Sequence, residues 1–271
     1  MPLGDCLPNF NLEKAICNHG FFMMAPNSWN PSTKTLQRPL RLADSAHSVN
    51  VSISHPSGED FLAVDVYDKV SLEDEQSIVK QVARMLRISQ KDEMDLREFH
   101  AIHAEAKNRG FGRLFRSPSL FEDIIKSILL CNTTWQRTLR MARALCQVEA
   151  ELFPNSLGNF PTSKQIASLN EHVLKKRCKL GYRARTILQF AKNIELGKIN
   201  INEYEEHVSW KPLYKALKKN RGFGPFVCAN IMFCIGFYNK VPSDSETVRH
   251  LKEDGDVGKL REEFWEAERL R

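Results

Sequence analysis

The chain has 271 residues, 42% of them hydrophobic, which suits one large globular domain or two ordinary ones and excludes a fibrous or wholly disordered protein. No stretch approaches the ~20 uninterrupted apolar residues of a membrane helix, and the N-terminus MPLGDCLPNFNLEK lacks the basic start and apolar run of an export signal, so a soluble intracellular protein is expected. The net charge of +6 is unevenly held: residues 1–105 carry 10 Lys and Arg against 15 Asp and Glu, residues 106–225 carry 22 against 9, and residues 226–271 carry 7 against 9.

A basic excess spread through 120 residues, rather than gathered in a tail, suggests a surface built for a polyanion; a merely solvated basic face is the plainer alternative. The seven cysteines are odd in number and show no Cys-x-x-Cys spacing, so reduced thiols filling the core are expected.

The first hundred residues hold the strand signals. A strand is predicted in HGFFMMAP (19–26), and SVNVSISH (48–55) and FLAVDVYD (61–68) alternate apolar and polar residues around the turn PSGED, which predicts an antiparallel hairpin. Ser71, with Asp74 three residues on, predicts the start of a helix running through SLEDEQSIVKQVARMLRI. A small α+β domain ending near Glu105 follows from this pattern, with residues 106–271 forming a second, all-α domain. In that second part helices are predicted in SLFEDIIKSILLC, TWQRTLRMARALCQ, SKQIASLNEHVLKKR, RARTILQFAKNIELG, SWKPLYKALKKN and PFVCANIMFCIGF, each bounded by Pro, Gly or Asn.

The junction between the last two predicted helices, KKNRGFGPF (218–226), carries the sharpest local signal. Gly222 and Gly224 permit a tight turn, and Pro225 has the fixed φ of a first helical residue, so the stretch delivers the free N–H groups of a helix N-terminus. With Lys218, Lys219 and Arg221 beside it, that end suits an anion. A helical corner without any ligand would show the same glycines.

In this order the segments resemble the helix-hairpin-helix (HhH-GPD) DNA glycosylase superfamily, in the branch holding 8-oxoguanine and 3-methyladenine DNA glycosylases. The resemblance is carried by RGFGPF followed by an apolar helix and VPSDSETVRHL, by KLGYRARTILQFAKNI, by SLFEDIIKSILLCNTTWQRT and by the strand-rich N-terminus, and it runs to about Leu251. It implies a TBP-like antiparallel β domain packed on an all-α helix-hairpin-helix domain. It further implies a monomeric enzyme that extrudes a damaged purine from double-stranded DNA and removes it in base excision repair, in the nucleus if the cell has one.

The same resemblance assigns residues. The hairpin Lys219, Arg221, Gly222, Phe223 and Gly224 would hold DNA backbone, where a monovalent or divalent cation is also compatible. Asp244, 18 residues after Phe226, falls where the family keeps its catalytic aspartate; a carboxylate there can stabilise the oxocarbenium-like sugar that forms as the glycosidic bond breaks. A simple helix cap at Asp244 is the competing reading, and Glu246 is a rival carboxylate. Phe226 stands where bifunctional relatives have a nucleophilic lysine, which implies hydrolysis without strand cleavage; Lys240, on an expected exposed loop with a free stem, is the other amine to weigh. Asn132 and Thr133 resemble gap-filling residues, Tyr182 a wedge in the opposite strand, and Arg183 and Arg137 readers of the orphaned base. Phe226 and Trp135 are candidates for the base pocket; core packing serves equally for Phe226, and it is the better reading for Trp135, as for Trp210 and Phe22, which are also aromatic enough to stack on a flipped base. The iron–sulfur ligands of some relatives are missing, since no cysteine follows Cys234, so neither metal nor cofactor is expected. The family continues past the aspartate with further helices, whereas this chain ends in the charged segment EDGDVGKLREEFWEAERLR, which implies a truncated or alternative form. A catalytically silent DNA-binding module is the reading from another class.

Overall fold

The computed structural model describes residues 1–154 and 157–253, which fall into two compact units divided between Ile199 and Asn200. The fold is mostly α with one small antiparallel sheet, as the sequence predicts. The boundary expected near Glu105 falls inside a helix of the first unit. No helix among the described residues is long and apolar enough to cross a membrane.

The first unit opens with a 3-10 helix, Gly4–Asn9, followed by helix α1 (Leu12–Cys17) and a sheet of β1 (Ser28–Asn30), β2 (Thr35–Arg41), β3 (Ser48–Ser54) and β4 (Ala63–Val66) in that spatial order. The predicted hairpin is β3–β4, with Val51 opposite Val66 and Ile53 opposite Val64. The strand predicted at 19–26 is instead a 3-10 turn, Gly20–Met23, that sinks Phe21 into the core. The sheet is completed by β1 and β2, which the apolar pattern hides because Arg38 and Pro39 interrupt β2. Pro39 is tolerated because β1 pairs only with Thr35, Leu36 and Gln37, so β2 is an edge strand beyond that point.

Helices α2 (Leu72–Leu86), α3 (Gln90–Ile102), α4 (Ala104–Arg109), α5 (Leu120–Leu129), α6 (Trp135–Leu152), α7 (Ser163–Ser168), α8 (Glu171–Lys176) and α9 (Arg183–Glu195) complete this unit. Ser71 and Asp74 form the predicted capping box at α2. SKQIASLNEHVLKKR makes two helices rather than one, because Asn170 accepts a hydrogen bond from the Val173 N–H (2.9 Å) and starts α8 afresh.

Leu36, Leu40, Val49, Val51 and Ile53 give the sheet an apolar face, and Arg38, opposite Val51, projects from its middle. Its charge is met by Glu122 of α5 through two hydrogen bonds, 3.2 and 3.0 Å, while Lys126 lies 2.7 Å from the same carboxylate. All three groups are buried, so this cluster fixes α5 against the sheet in one register. The second unit contains α10 (Asn202–Glu206), α11 (Trp210–Lys218), α12 (Pro225–Ile235) and α13 (Ser245–Glu253). The charged tail 254–271 lies outside the described residues. Of the seven free cysteines, Cys6, Cys146, Cys178, Cys228 and Cys234 are buried, as core fillers should be, whereas Cys17 is exposed and Cys131 half-buried.

Candidate functional site

In the second unit, α11 and α12 meet at the predicted hairpin. Leu213 and Leu217 of α11 and Val227, Cys228 and Ile231 of α12 are buried, which leaves the connection 219–224 at the surface. Gly222 takes φ +85°, a left-handed conformation costly for a side chain, and the Phe223 N–H closes the turn on the Asn220 carbonyl at 3.1 Å. Phe223 is buried and anchors the turn from below, whereas Lys219 and Arg221 are exposed. Asn220 ties the turn to Tyr204 of α10 by a 3.0 Å hydrogen bond. Gly224 is the N-cap of α12 and has ordinary backbone angles (φ −74°, ψ 175°); a Cβ built there meets open space. Since no side chain caps α12 and Pro225 has no N–H, the Phe226 and Val227 donors lack a protein acceptor among the described residues. Phe226 itself is half-buried.

Asp244 is the N-cap of α13. Its Oδ1 accepts hydrogen bonds from the backbone N–H and the hydroxyl of Thr247, both at 2.8 Å. The capping role is therefore real, but it occupies one oxygen, and Oδ2 has no partner among the described residues. Glu246, the rival carboxylate, forms an ion pair with Arg249 at 2.9 Å on the surface of α13. Lys240 corrects an expectation: its ammonium is not on a free stem but lies 4.9 Å from the ring centre of Trp210 and 5.3 Å from that of Tyr214. Those rings, both half-buried, thereby hold the other amine weighed as a nucleophile against their faces.

The first unit gathers Asn132, Thr133, Arg137, Tyr182 and Arg183 where the C-terminal end of α5 meets the turn into α9. The Asn132 amide reaches the Tyr182 hydroxyl at 3.4 Å, and that hydroxyl donates to the Cys131 carbonyl at 3.5 Å. Arg183 is buried beneath, donating to the carbonyls of Cys131 and Asn132, the latter at 3.3 Å. Arg137 is exposed on the first turn of α6, its guanidinium 3.9 Å from where a Cβ on Gly181 would lie. Thr133 keeps its hydroxyl oxygen buried without a partner among the described residues. Trp135 packs on Gly20, whose added Cβ would come within 3.0 Å of the indole; Phe22 of the same 3-10 turn is half-buried.

Burial and pairing also explain the charge division. Arg38, Arg41, Arg84, Arg87 and Arg97 of the first 105 residues are all held in ion pairs. By contrast Lys175, Lys176, Lys179 and Arg185 in the first unit, and Lys215, Lys218, Lys219 and Arg221 in the second, are exposed with no carboxylate partner among the described residues. Sequence reading missed the capping partner Thr247, although Asp-x-x-Thr is a legible N-cap pattern, and it missed the Cys131 carbonyl as the anchor of Arg183. A small cleft lined by Asn9, Leu96, His100, Gly110, Phe111 and Arg113 contains none of these residues.

No family model and no curated protein sequence matches the chain. Solved structures do. The 3-methyladenine DNA-glycosylase from Archaeoglobus fulgidus matches with a TM-score of 0.66 at 18% identity, covering 90% of this chain and 89% of that one. The Clostridium acetobutylicum 8-oxoguanine glycosylase/lyase, in complex with double-stranded DNA holding cytosine opposite 8-oxoguanine, matches with a TM-score of 0.65 at 16% identity, covering 90% and 80%. Its apo form gives a TM-score of 0.64 over the same shares. The chain therefore has the fold that these 3-methyladenine and 8-oxoguanine DNA glycosylases share.

Proposed function

We propose that the chain is a monofunctional DNA glycosylase, hydrolysing the N-glycosidic bond of an oxidised or alkylated purine flipped out of duplex DNA. The observation that carries this reading is the pairing, within one unit, of an uncapped helix N-terminus behind an open Gly224 with the unpartnered Oδ2 of Asp244. The free donors of α12, with Lys218, Lys219 and Arg221, suit a DNA phosphate. Asn132 and Tyr182 fill the space that the extruded base leaves, and the exposed lysines and arginines follow the backbone.

Chemistry then needs one carboxylate and one water. As the C1′–N bond breaks, its electron pair leaves with the base and positive charge grows on C1′ and the ring oxygen. The Asp244 carboxylate lowers the energy of that charge and accepts a hydrogen bond from water, whose oxygen bonds to C1′ while its proton passes by way of the carboxylate to the departing base. No amine attacks the sugar in this scheme, since Phe226 has none and the Lys240 ammonium is held against the rings of Trp210 and Tyr214. The product is intact abasic DNA. The test is a set of duplexes, each with one damaged base, incubated with the protein and then treated with alkali. Strand breaks only after alkali, lost in Asp244→Asn, are expected. Tight DNA binding without release of any base would make the chain a DNA-binding module instead.

A further inference from the structure

We propose that Arg183 is a positioning residue rather than a reader of the orphaned base: it locks the 131–132 loop to Tyr182, so that Asn132 and Tyr182 meet DNA as one preassembled two-pronged wedge. Arg137 is then the arginine of this cluster that is offered to the base left behind. The inference rests on the glycosylase reading above and deepens it.

Tyr182 and Arg183 are neighbours in sequence but opposites in exposure, 60% against 2%. The guanidinium of Arg183 lies under the Tyr182 ring, 4.6 Å from its centre. Its two Nη groups are directed at three backbone carbonyls, those of Cys131, Asn132 (3.3 Å) and Leu180 (3.5 Å), while its Nε is buried without a partner among the described residues. Carbonyls left over at the end of a helix such as α5 carry partial negative charge, and a buried cation is retained only where such acceptors surround it. Asn132 takes φ +46°, a left-handed conformation that asparagine tolerates better than most residues, and its own carbonyl is one of those Arg183 holds. The Asn132 amide and Tyr182 hydroxyl close the arrangement from the solvent side at 3.4 Å. Reading a base edge takes a guanidinium free to make two parallel hydrogen bonds. Arg183 lacks the exposure for that, since both its Nη groups are turned to backbone carbonyls and its one unpartnered donor, Nε, is buried, whereas Arg137 is exposed beside the same turn with no carboxylate partner among the described residues.

The test uses the full chain and duplexes carrying a tetrahydrofuran abasic analogue opposite each of the four bases, so it needs no knowledge of the lesion. Affinity for each duplex and the fluorescence of a 2-aminopurine beside the gap are measured. The unmodified protein is expected to rank the four opposite bases over a range of at least about five-fold, and Arg137→Ala to flatten that ranking. Arg183→Met should weaken binding to all four by a similar factor, roughly ten-fold, and lower the 2-aminopurine signal while keeping the ranking; Arg183→Lys should restore part of the loss. If Arg183→Met fails to fold, Asn132→Ala, Tyr182→Phe and their double variant decide, since both residues are exposed. Non-additive losses support the preassembled wedge, and additive losses overturn it. A ranking that changes with Arg183 and ignores Arg137 also overturns it. Equal affinity for gapped and undamaged duplexes sinks both this inference and the glycosylase reading, whereas base ranking without base release sinks only the latter.

Discussion

Two carboxylates compete for one role at the start of α13, and their hydrogen bonds separate them. Asp244 uses Oδ1 to cap the helix through Thr247 and keeps Oδ2 free, while Glu246 is engaged with Arg249. Asp244→Asn retains the capping oxygen but loses the charge, so its melting temperature should stay near that of the unmodified protein while base release falls by roughly 10²–10³-fold, the scale of removing one transition-state contact. Glu246→Gln should release base at nearly the original rate, and the reverse outcome would transfer the role to Glu246. The candidate amines give a second check. Borohydride should trap no protein–DNA adduct, and a strong adduct that disappears in Lys240→Gln would replace hydrolysis with lyase chemistry. The cap at Asp244 was legible, because a short polar residue ahead of a helical stretch leaves a local signature. The burial of Arg183 was not, since an arginine that holds carbonyls from a segment fifty residues away has the same sequence neighbours as one that faces solvent.

At the scale of elements, the hairpin separates a residue the fold requires from one that it does not. Gly222 needs its left-handed φ, so Gly222→Val should lose about 1–2 kcal/mol of stability along with DNA binding, and cannot by itself distinguish the two. Gly224 has backbone angles open to any residue and space where a Cβ would lie. Gly224→Val should therefore melt like the unmodified protein yet bind every duplex more weakly, which is expected only if backbone or phosphate approaches that surface. Unchanged affinity would remove the hairpin from the interface. The glycines and Pro225 announced this element because turn chemistry is local. The β1–β2 pair stayed hidden for the opposite reason: Arg38 is admitted to an apolar face by Glu122, 84 residues later, and Pro39 by the early end of β1. Likewise the break between α7 and α8 depends on a single cap at Asn170 that helical periodicity runs straight through.

Across the whole molecule, acidic partners neutralise the arginines of the sheet and first helices, while Lys175, Lys176, Lys179, Arg185, Lys215, Lys218, Lys219 and Arg221 are exposed without a carboxylate partner among the described residues. Under the proposed function, free surface charge would govern DNA binding, whose affinity should fall with salt at a log–log slope of roughly −0.9 per phosphate contact. Buried charge governs acid stability. Burial alone would raise the Glu122 carboxyl, but Arg38 and Lys126 outweigh it and hold the group at about 2, below its ordinary 4.5. Above 4.5 the carboxylate is ionised in folded and unfolded chains alike and the cluster contributes in full; as the pH falls from 4.5 towards 2 the unfolded chain takes up a proton that the folded one refuses, and that contribution drains away. His19 acts earlier in the same direction. Burial pushes its imidazole below 6.5, with its Nδ1 2.8 Å from the Phe115 carbonyl, so the unfolded chain gains a proton first and stability declines as the pH drops below 6.5. The melting temperature should thus be level between about pH 7 and 8, slope gently downward from about pH 6.5 and fall more steeply below about 4.5. His19→Gln should abolish the gentle upper slope and leave the steep lower one. Glu122→Gln should lose about 3–5 kcal/mol at neutral pH, by stranding Arg38 and Lys126, and flatten the lower limb. Scanning calorimetry of the three proteins between pH 8 and 2 decides the matter, and an upper slope that survives His19→Gln would assign it to another group.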